Sequence, residues 1–334
     1  MEIRTAGVIG FGFAGQLHAQ ALRSLLPDSK IVVFDTATEI LAQPGSFGYE
    51  PASSLDDLLG RQPELIVTAV PPTENLALAR RIVETESVRG VMFEKPLADT
   101  CVAADAIRRL MTGAGITSMV GLTGHGFHPE FAQAKALVEA GEIGDVHTII
   151  EQIHQGGPDF PAHYQTAAYG GCIMELGIHT IDHLHYFCPD NDWEVVLAGG
   201  GHNHWNAEAP DWCETTLVSS SIKGSPIVAH ASWAFVKSFP ADMSRANYST
   251  VLLGTKGKII VYGFDGLELV NANGSRSFSY HESGLSTRNR HLPGIRAENE
   301  ALIQIIREGV DSPVPLSYGV KLQQIADQIY NSIP

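Results

Sequence analysis

A glycine-rich turn close to the start of the chain is the feature that most constrains the fold. Residues 3–9 have the composition of a buried strand, and Gly10, Gly12 and Gly15 follow it directly. Residues 14–25 then carry apolar side chains at helical spacing. In such a unit Gly10 permits a tight turn, Gly12 lets the backbone approach a pyrophosphate, and Gly15 lets helix and strand pack closely. The pattern therefore predicts a dinucleotide-binding unit.

An acidic residue at the end of the next strand indicates which dinucleotide binds. Residues 30–34 form a second apolar stretch that ends at Asp35, and residues 36–38 contain no arginine. A carboxylate at this position accepts hydrogen bonds from the ribose hydroxyls, whereas it repels a 2′-phosphate. Like charges about 4 Å apart cost about 4 kcal/mol at an effective dielectric constant of about 20. We therefore expect NAD rather than NADP as the cofactor.

Alternating strands and helices continue to about residue 121. The predicted strands cover residues 65–70, 90–93 and 116–121, and the predicted helices cover residues 54–59, 75–84 and 100–111. This alternation is typical of a doubly wound parallel sheet, which binds ligands at the carboxyl edge of its strands. Lys95 directly follows one of these strands, and Pro96 keeps it out of helical geometry. We predict that Lys95 lies at the ligand-binding edge.

The length and charge of the chain favour two domains and a small-molecule ligand. A chain of 334 residues exceeds one ordinary core, and the alternation stops at about Thr123. We predict an NAD-binding Rossmann domain at residues 1–122 and a substrate-binding and oligomerisation domain at residues 123–334. The 22 basic and 37 acidic residues give a net charge of −15 without any basic cluster. This balance argues against nucleic acids and anionic membrane surfaces as partners.

The remaining composition points to the cytoplasm. Four cysteines are scattered without the spacing of a disulfide framework, at Cys101, Cys172, Cys188 and Cys213. A predicted strand begins almost at Met1, so a signal peptide is not expected, and no apolar run is long enough to span a bilayer. We therefore expect a cytoplasmic protein.

A glycine pair followed by polar residues at helical spacing marks the candidate catalytic segment. Residues 170–182 begin with two glycines and place Glu175, His179 and Asp182 at i, i+4 and i+7. On a regular helix all three side chains project from one face. A carboxylate one turn from an imidazole can orient the ring and raise its basicity. The spacing predicts a proton-transferring histidine.

Together these motifs resemble the Gfo/Idh/MocA oxidoreductases, a family of sugar and cyclitol dehydrogenases, over nearly the whole chain. The motifs that carry the resemblance are Gly10-x-Gly12-x-x-Gly15-x-x-His18, Pro71-Pro72, Glu94-Lys95-Pro96, Ala140-Gly141-Glu142-Ile143-Gly144, Gly170-Gly171 with Glu175-x-x-x-His179-x-x-Asp182, and a closing helix over residues 319–329. The resemblance implies an amino-terminal Rossmann domain and a carboxyl-terminal α/β domain. Strand patterns in the second half, at residues 146–154 and between residues 194 and 270, predict a large mixed, mainly antiparallel sheet there.

The resemblance also implies roles for individual residues. The family's catalytic lysine, acid and histidine correspond to Lys95, Glu175 and His179, and its substrate-contacting aspartate corresponds to Asp182. The implied cofactor-binding residues are Gly10, Phe11, Gly12, Phe13, Ala14, Gly15, Asp35, Val70, Pro71, Pro72, Asn75, Glu94 and Lys95.

Four positions depart from the family pattern. Glu175 replaces the usual aspartate, Cys172 replaces a third glycine, Asn75 replaces a histidine, and His128 stands where an arginine is common. These departures leave the substrate open. A long aromatic segment at residues 155–169 precedes the candidate helix and could line a polyol pocket through Phe160, His163, Tyr164 and Tyr169. We take Asp182, Tyr164, His163 and His128 as substrate-binding candidates.

The expected activity is reversible oxidation of a secondary alcohol on a sugar, sugar derivative or cyclitol. An epimerase or glycosidase that retains its NAD is the main alternative. A metal-dependent enzyme is a second one, because His179, His183 and His185 with Glu175 could chelate zinc. A non-catalytic NAD-binding regulator is a third. No resident metal is expected.

Subunit pairing is a further expectation from the resemblance. In relatives the open face of the second sheet pairs with another subunit, so we expect a homodimer or homotetramer. The strand at residues 227–235 places Ala229, Ala231, Trp233 and Phe235 on one face. We hypothesise that this face forms the contact.

Overall fold

The structure is a computed structural model that describes residues 2–42, 48–156, 162–220, 224–237, 247–280 and 287–333. The chain divides into two compact units. The first combines Met1–Thr123 with Leu292–Gln323, and the second combines Gly124–His291 with Gln324–Pro334.

The first unit is built on a six-stranded parallel sheet. Its strands are β1 (Thr5–Ile9), β2 (Lys30–Phe34), β3 (Glu50–Pro51), β4 (Leu65–Thr68), β5 (Gly90–Glu94) and β6 (Thr117–Gly121). Its helices between the strands are α1 (Phe13–Leu25), α2 (Leu55–Gly60), α3 (Pro72–Val83) and α4 (Cys101–Gly113). The spatial order β3-β2-β1-β4-β5-β6 is that of a doubly wound Rossmann sheet. The predicted fold of this half is confirmed, although the two-residue β3 was not predicted.

Local chemistry explains where several of these elements begin. The Ser54 hydroxyl caps α2 by accepting from the Asp57 amide at 3.0 Å, and the Thr100 hydroxyl caps α4 by accepting from the Ala103 amide at 3.2 Å. The strands β1 and β4 are buried along their whole length. Such strands carry near-continuous apolar runs because helices cover both faces of a parallel sheet.

The second unit is built on an eight-stranded sheet. Its strands are β7 (Val146–Gly156), β8 (Asp192–Gly201), β9 (Trp212–Ser220), β10 (Val228–Val236), β11 (Tyr248–Gly254), β12 (Gly257–Val261), β13 (Leu267–Asn271) and β14 (Gly274–Phe278). Helices α5 (Pro129–Glu139) and α6 (Ile178–Phe187) belong to the same unit. The spatial order is β14-β13-β12-β11-β7-β10-β9-β8, and β7 pairs with β10 in parallel while the other pairs are antiparallel. The predicted mixed, mainly antiparallel sheet is confirmed, with β14 as an unpredicted edge strand.

One face of β10 is covered within the chain. Ala229, Ala231 and Trp233 are buried, and the Trp233 indole nitrogen donates to the Thr180 hydroxyl on α6 at 2.8 Å. The hypothesis that this face meets another subunit is therefore wrong, because α6 already covers it. Of the alternate residues of β10, Val228, His230, Ser232 and Val236 are exposed or half-buried, whereas Ala234 is buried.

Two long helices close the chain, α7 (Thr287–Glu308) and α8 (Leu316–Asn331). The part of α7 from Leu292 onward packs on the parallel sheet, where Leu302 is fully buried. A Cβ atom on Gly90 of β5 would lie 2.3 Å from the Ile306 side chain, so any larger residue there would require that side chain to move. Among the described helices, none is both long enough and apolar enough to cross a membrane.

Candidate active site

The glycine turn between β1 and α1 has two tight contacts and one open position. A Cβ on Gly10, whose φ is +87°, would lie 2.2 Å from the Ala69 carbonyl oxygen, and one on Gly15 would lie 1.9 Å from the Gly10 carbonyl oxygen. A Cβ on Gly12 would meet no heavy atom of the described residues within 4 Å. Gly10 and Gly15 are therefore required by close backbone packing, whereas Gly12 leaves space beside the start of α1. Helix starts of this kind bind phosphate through backbone amides and the helix dipole.

Asp35 is held in place at the end of β2. Its Oδ2 accepts from the Phe11 amide at 2.6 Å, and its Oδ1 accepts from the Ala37 amide at 2.8 Å. The carboxylate is therefore fixed against the glycine turn, where it can still accept from ribose hydroxyls. This arrangement fits NAD.

The other predicted cofactor residues lie at the carboxyl ends of neighbouring strands. Val70 and Pro71 follow β4, and Pro72 begins α3. Asn75 is fully buried, and its amide accepts from the Thr68 hydroxyl at 3.0 Å and donates to the Leu97 carbonyl at 3.1 Å. We infer that Asn75 supports the sheet edge from within.

Lys95 follows β5 at the same edge of the parallel sheet. Glu94 and Lys95 are half-buried, and the Lys95 amide donates to the Glu94 Oε2 atom at 3.1 Å. The peptide bond between Lys95 and Pro96 is cis. Through its hydrogen bond with the Lys95 amide, the Glu94 side chain folds back onto the main chain of the lysine that follows it.

The spacing predicted one regular helix for the candidate catalytic segment, and the structure shows that this is wrong. Residues Ile173–Gly177 form a π-helical turn, and α6 begins only at Ile178. Gly170 and Gly171 before it have φ values of +90° and +61°. A π turn inserts about one extra residue and shifts the side chains that follow it around the axis. The i, i+4, i+7 pattern of the sequence therefore does not describe the faces of this segment.

Two side chains reach the accessible side of this segment. Between residues 171 and 185 every position is buried except Glu175 and His179. The hydroxyl of the buried Tyr169 donates to the Glu175 Oε2 atom at 2.5 Å. Burial raises the pKa of Tyr169 well above its usual range, and the Glu175 charge raises it further, so the phenol stays protonated and remains a donor.

Asp182 has a different environment from the other two. It is fully buried, and its Oδ1 lies 2.6 Å from the Nδ1 atom of His125. The structure thus groups Glu175 with Tyr169 and groups Asp182 with His125. Sequence reasoning missed His125 as a site residue. A signal was present in the sequence, because His125 begins a His-Gly-Phe-His-Pro segment four residues after the end of the last predicted Rossmann strand.

The remaining substrate-binding candidates fall into distinct environments. His128 is fully buried and stacks on Phe264 with ring centroids 4.1 Å apart, which is a packing role in the described structure. The ring of the half-buried Tyr164 lies 4.7 Å from that of Tyr169 and is stacked 6.2 Å from Phe235. Phe160 and the side chain of His163 lie outside the described residues.

The environment of His183 on α6 does not fit the zinc site that the sequence left open as an alternative. His183 is fully buried with its Nδ1 atom 3.0 Å from Glu151, and Glu151 also accepts from Thr180 at 2.8 Å and Thr250 at 2.9 Å. Burial acts to lower the pKa of His183, but the Glu151 carboxylate outweighs this effect and the pKa is raised. This network anchors α6 to the sheet. Among the described residues, the group of three with clustered ligand atoms is His18, Glu94 and Glu298, not the histidines of α6.

Two domain models match most of the chain. Residues 4–122 match an oxidoreductase family with an NAD-binding Rossmann fold, and residues 131–260 match the GFO/IDH/MocA C-terminal domain. The first of these matches covers the predicted cofactor site, so the amino-terminal half is an NAD-binding Rossmann domain.

Individual relatives are more distant. The chain is 29% identical over 202 residues to the uncharacterized oxidoreductase YrbE of Bacillus subtilis, covering 58% of this chain and 56% of the relative. It is 27% identical over 193 residues to scyllo-inositol 2-dehydrogenase (NAD(+)) of the same organism, covering 55% and 54%. The chain thus spans about half the length of the curated relatives it matches.

A solved structure with the same fold is that of levoglucosan dehydrogenase in complex with NADH and levoglucosan. It superposes with a TM-score of 0.79 at 18% identity, covering 99% of this chain and 97% of that one. At this identity the likeness establishes the fold.

Proposed function

This chain belongs to the Gfo/Idh/MocA family of oxidoreductases, and from that premise we propose that it oxidises a secondary alcohol of a sugar or cyclitol with NAD. The observation that carries the proposal is the pair Glu175 and His179, the accessible acid and imidazole of an otherwise buried segment. The inositol and levoglucosan dehydrogenases among its relatives support the substrate class.

The residues of the first unit fit the cofactor. The open position at Gly12 would admit the pyrophosphate, and the fixed carboxylate of Asp35 would hold the adenosine ribose. NAD, when bound, supplies the hydride acceptor. Lys95 lies at the strand edge where the nicotinamide of a Rossmann domain is expected.

Proton transfer falls to His179 in this proposal. His179 accepts the hydroxyl proton of the substrate as the carbon loses its hydride, so the alcohol becomes a ketone. Glu175 holds the imidazole in the accepting tautomer, and the Tyr169 hydroxyl at 2.5 Å holds Glu175. The ammonium of Lys95 stabilises the negative charge that develops on the substrate oxygen.

The substrate side of the proposal rests on aromatic and polar side chains. The half-buried Tyr164 offers a ring face of the kind that packs against a sugar ring, and the buried Tyr169 supports it from 4.7 Å away. The ring of His125, which the buried Asp182 holds through Nδ1 at 2.6 Å, offers its other nitrogen to a substrate hydroxyl group. We expect phosphorylated substrates to react poorly, because the sequence shows no basic cluster for a phosphate.

A substrate panel tests the proposal directly. Sugars, amino sugars, sugar phosphates and inositols are assayed with NAD, and the absorbance of reduced nicotinamide is followed. We expect NADH to accumulate with at least one unphosphorylated polyol. Product formation without accumulating NADH would favour the NAD-retaining epimerase or glycosidase, and NAD binding without turnover across the panel would favour the regulator.

Replacement of Tyr169 by phenylalanine is expected to lower kcat about tenfold while KM for NAD changes by less than about twofold. The change removes the hydrogen bond to Glu175 but keeps the ring that contacts Tyr164. Steady-state kinetics measure both constants. Tyr262→Phe is the matched control, because Tyr262 donates to Glu268 at 3.2 Å at the end of another strand. Equal effects of the two substitutions on kcat would contradict the role of Tyr169.

We also propose pairing of subunits through the eight-stranded sheet, on the face opposite α6. Light scattering of the purified protein should give a dimer or tetramer mass. A monomer mass would rule the pairing out.

A further inference from the structure

A buried polar cluster of the first unit lies outside the groups used so far. His18 on α1, Glu94 at the end of β5 and Glu298 on α7 bring their polar atoms within 4.8 Å of one another. The His18 Nε2 atom lies 2.7 Å from Glu94 Oε1 and 3.7 Å from Glu298 Oε1. The side chains of His18 and Glu298 are fully buried, and that of Glu94 is 12% exposed. Gly121 on β6 leaves room for the Glu94 carboxylate, since a Cβ there would lie 3.2 Å from it.

Asn299 determines which ring nitrogen of His18 carries the proton. The Asn299 Nδ2 atom lies 2.7 Å from the Ile295 carbonyl oxygen and 2.7 Å from His18 Nδ1. Because a carbonyl oxygen can only accept, the amide NH₂ faces both atoms and His18 Nδ1 must accept as well. The ring proton is therefore on Nε2, which donates to Glu94.

This tautomer decides between two uses of the cluster. A metal ion would need a lone pair on His18 Nε2, and that would place two donors face to face at Nδ1. A hydrogen-bonded cluster without a metal ion keeps the proton on Nε2 and leaves the Asn299 contact intact. Among the described residues the Leu122 backbone amide approaches the Glu298 carboxyl, but no contact to either carboxyl oxygen has standard hydrogen-bond geometry. A fully buried carboxylate in that position costs far more free energy than a neutral carboxylic acid, because desolvation penalises a charge more than an uncharged polar group.

We infer that Glu298 is a positioning residue that carries a proton at neutral pH, so that Glu94 is the single carboxylate of the cluster and is held against the main chain of Lys95. Glu94 then accepts from His18 at 2.7 Å and from the Lys95 amide at 3.1 Å. A charge on Glu298 would repel Glu94 and loosen both contacts. The consequence for catalysis rests on the proposed function of Lys95, but the protonation of Glu298 does not.

The electrostatics of the site agree with this geometry. Burial raises the pKa of Glu298 well above its usual range, and the Glu94 charge raises it further, against the opposing effect of the Leu122 backbone amide. The acidic and imidazole groups whose polar atoms cluster with the Glu298 carboxyl, among the described residues, are His18 and Glu94. His18 accepts from Asn299 at Nδ1, so in this geometry it carries a single ring proton, on Nε2, and brings no positive charge to the cluster.

The dependence of stability on pH tests the protonation of Glu298. A carboxyl group with a raised pKa in the folded protein contributes stability below its unfolded pKa of about 4.3, and this stability is lost as the pH rises toward the folded pKa. We expect the folded-to-unfolded ratio of the wild type to fall by up to about tenfold per pH unit relative to Glu298→Gln over that window. Denaturant unfolding from about pH 5 to 8 measures the ratio.

The matched control is Glu300→Gln, which removes the same charge from an exposed position two residues along α7. The folded-to-unfolded ratio of Glu300→Gln, divided by that of the wild type, should not change with pH. If the folded-to-unfolded ratios of the wild type and Glu298→Gln changed with pH in parallel, the inference would be overturned. Nitrogen-15 chemical shifts of His18 give a second measurement, because they report which ring nitrogen carries the proton. A lone pair on Nε2 would overturn the inference, and so would a stoichiometric metal ion in the purified protein.

The positioning role is tested by a second pair of variants. Glu298→Ala should lower kcat about tenfold with little change in KM for NAD, and Glu298→Gln should restore most of kcat because the amide is also neutral. If no polyol is turned over at all, the proposed function fails, but the pH dependence of stability still tests the protonation of Glu298. If turnover is found and both variants match the wild type, Glu298 has no positioning role.

Discussion

Replacement of His179 by alanine is expected to lower kcat about 100-fold or more, which is the scale of a lost general acid–base group. His179 and Glu175 are the accessible residues of a segment that is otherwise buried from residue 171 to 185. Because the imidazole lies outside the nucleotide-binding unit, NADH binding should be retained. Steady-state kinetics on the best substrate of the panel and a fluorescence titration with NADH measure the two effects separately.

His147→Ala is the control for this experiment. His147 is exposed at the start of β7 and contacts the neighbouring Thr148 hydroxyl at 2.9 Å. Its removal should leave kcat within about twofold of the wild type, as is usual for surface substitutions. If the His179 variant behaved like this control, His179 would not be the proton acceptor.

Replacement of Asp35 by asparagine is expected to raise the preference for NADP over NAD by about 100-fold, and by up to about 1,000-fold if the full repulsion is removed. The upper figure converts the roughly 4 kcal/mol between like charges about 4 Å apart. Asp35 is held by the Phe11 and Ala37 amides at 2.6 and 2.8 Å, so the carboxylate cannot turn away from a 2′-phosphate without losing both bonds. The ratio of kcat/KM values for the two cofactors measures the preference.

Asp28→Asn serves as the control for Asp35, since Asp28 is exposed between α1 and β2. It removes the same charge from the same unit and should leave the cofactor ratio unchanged. An unchanged ratio in the Asp35 variant would show that another group selects the cofactor. Equal shifts in both variants would indicate a general effect of net charge.

The sequence predicted the parallel sheet well because its signals are local. Each buried strand is a short apolar run, and the glycine turn with Asp35 has a fixed spacing within one βαβ unit. The two-residue β3 was missed, because Glu50 and Pro51 carry no periodicity. Seven of the eight strands of the second sheet were also predicted, and the edge strand β14 was missed. Alternation placed Trp233 on one face of β10, but it could not tell that α6 covers that face.

The parts of the site that were not predicted depend on distant contacts. The π turn at Ile173–Gly177 has the composition of an ordinary helix, so only the packing around it selects the wider turn. The pair of His125 and Asp182 joins residues 57 positions apart. Asn299 and His18 are separated by 281 positions, and neither belongs to a motif shared with the other. No local pattern carries such information.

The placement of α7 has a consequence for how the protein is made. The stretch Leu292–Gln323 completes the nucleotide-binding unit, although it follows the whole eight-stranded sheet in the chain. A ribosome therefore finishes the second sheet before it supplies the helix that covers the first. Until then the nascent Rossmann segment lacks Ile306 beside Gly90 and lacks Glu298 beside His18. Apolar surface that α7 covers in the folded protein is thus still exposed during most of translation, and exposed apolar surface of this kind favours aggregation and chaperone binding.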